Sequence, residues 1–354
     1  MDFTLTEEQT LLRDSVRRFV EQDYGFEQRR KCVEREGGFS ARHWARFATM
    51  GWLGAGLPEA VGGFGGGAVE TALIAEQLGR GLVVEPYAAV AVLAAQTLRY
   101  VGGDDALSLL GEVIEGRSRP VLAWSDEPGR ATLIAGGPQA THFLLPVREA
   151  NAVSLFALRA DSLGPARIDY RLIDGSAASD LRFDPTVLDR AVLIAGPLDA
   201  APALALARAE ARAALCAEAL GVMERALDVT REYLLQRHQF GVPLADFQVL
   251  QHRLADMSIA HEQARGALHG ALAGLAQRDA PTRERAVAAA GVMCARSGRF
   301  IGAQAIQLHG GIGMTDEYIV GHCFKRLLVI ERLLGPAQQR VGVLAHRQQE
   351  EEES

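Results

Sequence analysis

The chain has 354 residues, 48% hydrophobic and 23% charged, with a net charge of -7. This length and balance describe a globular chain with room for two or three domains, and they exclude collagen, coiled-coil and disordered classes. The acidic balance argues against general affinity for nucleic acid, which needs a basic surface.

No apolar run approaches the roughly 20 residues needed to span a bilayer. The opening residues lack the basic flank and apolar core of a signal peptide, so a cytoplasmic protein is expected. Cys32, Cys216, Cys294 and Cys323 lie far apart without CxxC spacing, which predicts reduced, structural thiols rather than a disulfide framework or a zinc ribbon.

Thr6-Glu7-Glu8-Gln9 is a capping-box pattern, and Leu11, Leu12, Val16, Phe19 and Val20 then repeat on one helical face. Amphipathic stretches follow at 39–50, 69–78, 87–100 and 106–115, giving a mostly helical domain over residues 1–119. Within it, Gly63 to Ala68 formally satisfies GxGxxA, with Glu85 at a plausible distance for a ribose contact. Gly54, Gly56, Pro58, Glu59 and Gly62 cannot form the buried strand that such a fingerprint follows, so a helix-connecting glycine loop is expected.

From Pro120 the period changes to short apolar runs at 121–124, 143–147 and 153–158, predicting a small middle β domain over 120–198. Helical periodicity returns after Pro202, with long helices near 204–236, 244–277 and 282–309 and a last pair near 315–334 and 336–346. The fold class expected is mainly α with a small β domain. Its C-terminal long-helix bundle covers 199–354 and ends in the acidic run Glu350 to Glu353.

Familiar catalytic motifs are missing. No histidine has a glutamate three positions before it, His261-Glu262 does not continue to HExxH, and neither GxSxG nor a P-loop occurs. Two segments carry chemistry instead. Arg237-His238-Gln239-Phe240-Gly241-Val242-Pro243, between two long helices, offers a guanidinium for a phosphate and an aromatic face for a ring system. Gln307-Leu308-His309-Gly310-Gly311-Ile312-Gly313-Met314 ends a helix in bare backbone that a flat or phosphorylated ligand can approach. Turn chemistry alone is the competing reading of both.

In this order and spacing the two segments resemble the C-terminal half of the acyl-CoA dehydrogenase family. The Leu57-Pro58-Glu59 loop and the helix–sheet–helix order extend the resemblance along the chain. More narrowly, Phe247 to His252, Gln304 to Met314 and Gly321, His322, Phe324 to Leu327 resemble the small subunits of heteromeric members such as pimeloyl-CoA dehydrogenase. The resemblance implies FAD-dependent α,β-desaturation of an acyl-CoA, in which a carboxylate removes a proton beside the thioester and the flavin accepts hydride. It also implies electron-transfer flavoprotein as acceptor, and FAD contacts across a subunit interface from Arg237, Gln239, Phe240, Gln307, Gly310 and Gly311.

Three departures qualify it. Leu334 precedes Gly335 where the family carries its catalytic glutamate. The alternative family position for that base aligns with Ala211, one residue from Glu210, and one residue is about 100° of helix rotation. Glu210 is therefore a weak candidate base, with a solvated helix carboxylate as the competing reading; Glu317 and Glu331 are weaker still. The sheet domain is short, and Trp124 to Pro128 only partly echoes the family's flavin-binding strand entry. The expectation is a small subunit that completes the FAD site of a larger homologue in a heterotetramer. A self-sufficient homotetramer using Glu210 and a flavin-free structural subunit are the alternatives.

Overall fold

Residues 4–124, 127, 129–149, 152–277 and 279–352 are described by a computed structural model. Ser125, Asp126 and Pro128 of the expected strand entry, and Glu353 and Ser354 of the acidic tail, lie outside the described residues. The helical N-terminal part comprises α1 (Glu7–Gln22), α2 (Phe26–Arg35), α3 (Ala41–Thr49), α4 (Ala68–Arg80), a π-helical segment (Ala88–Ala94) running into α5 (Ala95–Val101), and α6 (Asp104–Ile114).

Among the described residues, seven strands follow: β1 (Pro120–Leu122), β2 (Arg130–Ala135), β3 (His142–Glu149), β4 (Ala152–Arg159), β5 (Arg167–Arg171), β6 (Ala177–Arg182) and β7 (Val192–Ala195). The chain continues as α7 (Pro197–Gln236), the hairpin β8 (His238–Gln239) and β9 (Val242–Pro243), α8 (Gln248–Leu275), α9 (Ala280–His309), a 3-10 turn at Gly310–Met314, α10 (Ile319–Leu333) and α11 (Ala337–Glu352).

The capping box at α1 forms as expected: the Gln9 backbone N–H donates to Thr6 Oγ1 at 3.2 Å, and the Thr6 N–H donates to Gln9 Oε1 at 3.0 Å. Helix α7 starts earlier than its apolar period suggests and absorbs Pro202 in its second turn. Helix α8 starts later, because Leu244–Asp246 closes a 3-10 turn first. Helix α2 escaped the periodicity because it is dominated by charged and polar side chains rather than an apolar stripe.

The chain divides into two compact units. One comprises Arg30–Thr71 and Val84–Ala211; the other comprises residues up to Arg29, Ala72–Val83 and everything from Arg212 onward.

The unit containing Arg30–Thr71 and Val84–Ala211 holds both large sheets. One has strand order β1-β3-β4-β7, with β1 parallel to β3 and the remaining pairs antiparallel; the other has order β2-β6-β5, all antiparallel. Register places Phe143 opposite Leu158 and Leu145 opposite Phe156, and Phe143, Leu145 and Leu158 are fully buried. An aromatic row adds to this core, with Trp44, Phe47 and Trp52 centroids 5.9 and 5.2 Å apart in succession.

The glycine loop is explained by its own packing. A Cβ on Gly63 would stand 2.2 Å from the Leu57 carbonyl oxygen, and one on Gly66 would stand 2.2 Å from that of Ala55. Glu85 is buried, accepts from the Ser40 N–H at 3.2 Å and lies 3.2 Å from His43 Nδ1. A core carboxylate so engaged is no ribose ligand.

The other unit is a helical bundle. A Cβ on Gly79 of α4 would meet the Glu218 carbonyl oxygen at 2.1 Å, and one on Gly221 of α7 would meet that of Glu76 at 1.8 Å. Side-chain-free positions thus let two backbones touch. Glu218 and Arg326 form a buried ion pair between α7 and α10, with Arg326 Nε donating at 2.6 Å. Removing one partner of such a pair costs about 3–5 kcal/mol because the other charge stays buried. Cys32, Cys216, Cys294 and Cys323 are all buried.

Candidate functional site

Two of the candidate segments are built on the ends of α7 and α9. The Arg237 backbone continues α7 by donating to the Tyr233 carbonyl at 2.9 Å, and its own carbonyl accepts from Leu244 at 2.8 Å, closing the β8–β9 hairpin. Gln239 pairs with Val242 across a two-residue turn in which Phe240 and Gly241 have φ of 51° and 86°. A turn with positive φ at both central residues matches hairpin twist, but only glycine adopts that region without strain. Phe240 therefore combines a strained backbone with a ring that is 92% exposed. Its edge-on contact with Phe247, 6.2 Å between centroids, leaves most of the ring open.

The second segment begins where α9 stops. Gly310 caps the helix with φ 62°, its N–H donating to the Gln307 carbonyl, and the backbone then winds through the Gly310–Met314 turn. A Cβ at Gly310 or Gly311 would meet nothing within 4 Å, and Gly311 has no positive φ. The Gly311 backbone therefore remains open to a ligand for no reason internal to the chain. Gln307, Gly310 and Gly311 are exposed, as are Arg237 and Gln239.

An aromatic stack links the two segments, and the sequence reading did not include it. Tyr233, one helical turn before Arg237, stacks on His309 with centroids 4.5 Å apart, and Tyr318 lies 5.1 Å from the same imidazole. His309 is buried, lies immediately before Gly310, and its Nδ1–H donates to the Ala305 carbonyl at 2.8 Å. Burial lowers its pKa from the ordinary histidine value. The signal was available in the four-residue spacing between Tyr233 and Arg237, which puts both on one side of the last turn of α7.

Electrostatics divides the labour between the segments. The C-terminal end of α9 is the negative end of its dipole and disfavours an anion, whereas Arg237 is a cation just past the end of α7. A pyrophosphate suits Arg237, an apolar ring edge suits Phe240, and a close neutral approach suits Gly310-Gly311. The residues present thus fit a flavin dinucleotide.

Candidate base positions look different. Leu334 is 1% exposed and donates its N–H to the Ile330 carbonyl at 2.9 Å. Gly335 follows at φ 92°, and its carbonyl accepts from Arg340 Nη1. Burial lowers the pKa of both Arg340 and Arg212, whose Nη2 would lie 3.9 Å from a Cβ on Gly335. No titratable oxygen occupies this turn.

Glu331 is tied to Arg299 at 2.8 Å, and Glu317 is exposed. Ala211 is buried, and Glu210 beside it is half-buried and accepts a hydrogen bond from the Tyr100 hydroxyl. This corrects the reading of Glu210 as a solvated carboxylate: Tyr100 of α5 reaches it. The Arg208 guanidinium lies 4.1 Å over the Trp124 ring.

Among the described residues, no cluster of metal-ligating side chains is present, and no helix is long and apolar enough to cross a membrane. Residues 6–107 match the family model for the acyl-CoA dehydrogenase N-terminal domain, and residues 205–348 match that for the acyl-CoA dehydrogenase C-terminal domain. The chain is similar to the acyl-CoA dehydrogenase FadE27 of Mycobacterium tuberculosis, 29% identical over 97% of this chain and 98% of that protein. It is also similar to the acyl-CoA dehydrogenase IpdE2 of Mycolicibacterium smegmatis, 27% identical over 95% of this chain and 97% of that protein. Among solved structures, a chain of the ChsE4-ChsE5 complex from Mycobacterium tuberculosis superposes with a TM-score of 0.87 at 27% identity, over 99% of both chains. The Tcur3481-Tcur3483 steroid ACAD variant gives a TM-score of 0.88 at 27% identity, over 99% of this chain and 100% of that one.

Proposed function

Because the chain belongs to the acyl-CoA dehydrogenase family, we propose that it is the small subunit of an FAD-dependent acyl-CoA dehydrogenase, completing the flavin site of a larger homologue that carries the base. The observation that carries this reading is the buried Leu334 before Gly335, where the family resemblance puts the catalytic glutamate. Removing a proton beside a thioester carbonyl needs a basic atom within hydrogen-bond reach, and a leucine side chain has none. Retention of Arg237, Phe240 and Gly310-Gly311 on an open surface supports a continuing role in cofactor binding.

In that role Arg237 neutralises the pyrophosphate, Phe240 covers a ring edge, and Gln239 and Gln307 supply amide hydrogen bonds. Gly310 and Gly311 admit the ligand to the backbone. When bound, the flavin supplies the hydride acceptor. The partner contributes the carboxylate, and an electron-transfer flavoprotein takes the electrons onward in the cytoplasm. The two-protein ChsE4-ChsE5 complex supports a heteromeric assembly, which we take to be a heterotetramer, and the steroid ACAD supports a bulky acyl-CoA substrate.

The Tyr100–Glu210 hydrogen bond favours one second reading, a homotetramer in which Glu210 is the base. Turnover of the chain co-expressed with a longer homologue separates the two. Glu210→Gln is expected to leave turnover within a few-fold of the unmodified complex. Abolished turnover with flavin still bound would transfer the base to this chain.

A further inference from the structure

The Gly310–Met314 turn is held at its exit by a relay that runs from a buried arginine to the surface. Arg29 of α2 is 2% exposed; its Nε donates to the Leu82 carbonyl at 2.9 Å, and its Nη1 lies 3.1 Å from His322 Nδ1. A guanidinium has donors only, so the imidazole Nδ1 is the acceptor and carries no proton. The ring proton therefore sits on Nε2, which donates to the Asp316 carbonyl at 2.9 Å. Arg29 thus selects the tautomer that His322 needs in order to hold Asp316. The Phe26 ring packs edge-on at 5.0 Å over the same imidazole.

Asp316 directly follows Thr315, which closes the turn by donating from its N–H and its hydroxyl to the Ile312 carbonyl at 3.2 and 3.0 Å. On the other side of the relay, a Cβ on Gly321 would meet the Gly313 carbonyl oxygen at 3.2 Å. The imidazole is therefore tied to the segment that immediately leaves the turn, and the helix carrying it packs against the turn itself.

We infer that Arg29 and His322 are positioning residues for the Gly310–Met314 turn, the neutral imidazole fixing the backbone that a dinucleotide would approach. The inference rests on the reading of that turn as a flavin contact.

A second proton on His322 would set a cation against Arg29. The charged groups facing the ring are Arg29 from α2, Lys325 from its own helix and Asp316 from the turn exit, the last already paired with Lys325 at 2.8 Å. Burial is the largest reason that the ring's pKa lies below the ordinary histidine value; the Arg29 and Lys325 charges add to it, and the Asp316 carbonyl and carboxylate oppose it. The folded ring resists protonation more than the unfolded one. Stability linked to the ring is therefore present above the unfolded value of about 6.5 and declines as pH falls below it, the relay itself being lost only once pH passes the lower folded value.

Amide hydrogen exchange of residues 310–318 in the purified chain, corrected for intrinsic rates and referenced to α9, tests this between pH 7 and pH 5. Protection is expected to fall roughly fivefold to tenfold across that range, the size of one hydrogen bond lost. His322→Gln, whose amide can donate to the Asp316 carbonyl without titrating, is expected to keep protection and flatten the pH profile. His322→Ala is expected to lose it at every pH. Protection independent of pH in the unmodified chain, or unchanged in His322→Ala, would overturn the relay. Flavin content of the co-expressed complex is the second readout: a loosened turn with unchanged flavin would leave the positioning role standing and overturn the flavin reading of the turn.

Discussion

The α9–α10 turn and the α10–α11 turn belong to the same helical unit, yet they are built in opposite ways. At the first, Gly311 stays open to solvent without an internal need, and the neighbouring hairpin holds an exposed phenylalanine on a strained backbone. At the second, a leucine is sealed inside and an arginine closes on the glycine carbonyl. On the proposed reading, contact chemistry is kept where a flavin would dock, while the position that the family resemblance gives to the base is filled by packing. A chain that ran the reaction alone would need both.

The largest expected effect lies at the sealed turn. Leu334→Ala should cost about 2–5 kcal/mol, the range for emptying a fully buried leucine site, read as a fall in the denaturant midpoint. If stability barely changes, the turn is not sealed and the contrast between the two ends collapses.

Next is Arg237→Ala. Loss of a charge-assisted contact to a phosphate should weaken flavin retention in the complex by roughly 10-fold to 100-fold, measured by equilibrium dialysis. Arg237→Lys should recover only part of it, because a point charge lacks the bidentate fork. Unchanged flavin content in Arg237→Ala would favour a structural subunit without a cofactor role.

Acid should separate the two turns more gently. His309 and His322 flank the Gly310–Met314 turn, and burial lowers both pKa values. Unfolded histidines take protons first, so stability linked to these rings is present above about pH 6.5 and declines below it. Exchange near residue 310 should therefore rise with acidification before exchange near residue 334 does.

The smallest change in stability belongs to Phe240→Ala. An exposed ring contributes within about 0.5 kcal/mol, yet its loss should lower flavin recovery from the co-expressed complex. A large drop in melting temperature would mean that its edge contact with Phe247 carries much of the hairpin's stability.

Much of this contrast was legible in the residues. The capping box at Thr6, the three long helices of the bundle and the glycine loop at Gly63 followed from spacing and backbone chemistry, because each is a local rule. Strands β2, β5, β6 and β7 lie outside the apolar runs: β2, β5 and β6 each place Arg, Asp, Ser or Thr among their apolar residues and β7 has only four residues, so their pairing is decided by neighbours distant in sequence. The exposed glycines and Arg237 stood out as residue types. The Tyr233–His309 stack and the Arg29–His322 relay did not, since each joins residues from different helices and Arg29 lies 293 positions from its partner. Glu210 shows the same limit, because its environment depends on Tyr100, a hydroxyl 110 residues away.

The most direct test is the visible absorption spectrum, with quantified FAD, of this chain purified alone and after co-expression with a longer acyl-CoA dehydrogenase homologue from the same genome. A shared site predicts a colourless isolated chain and stoichiometric flavin only in the complex. Stoichiometric flavin in the chain alone would contradict that account, since the site would then be complete within copies of this chain, with Glu210 the next residue to replace.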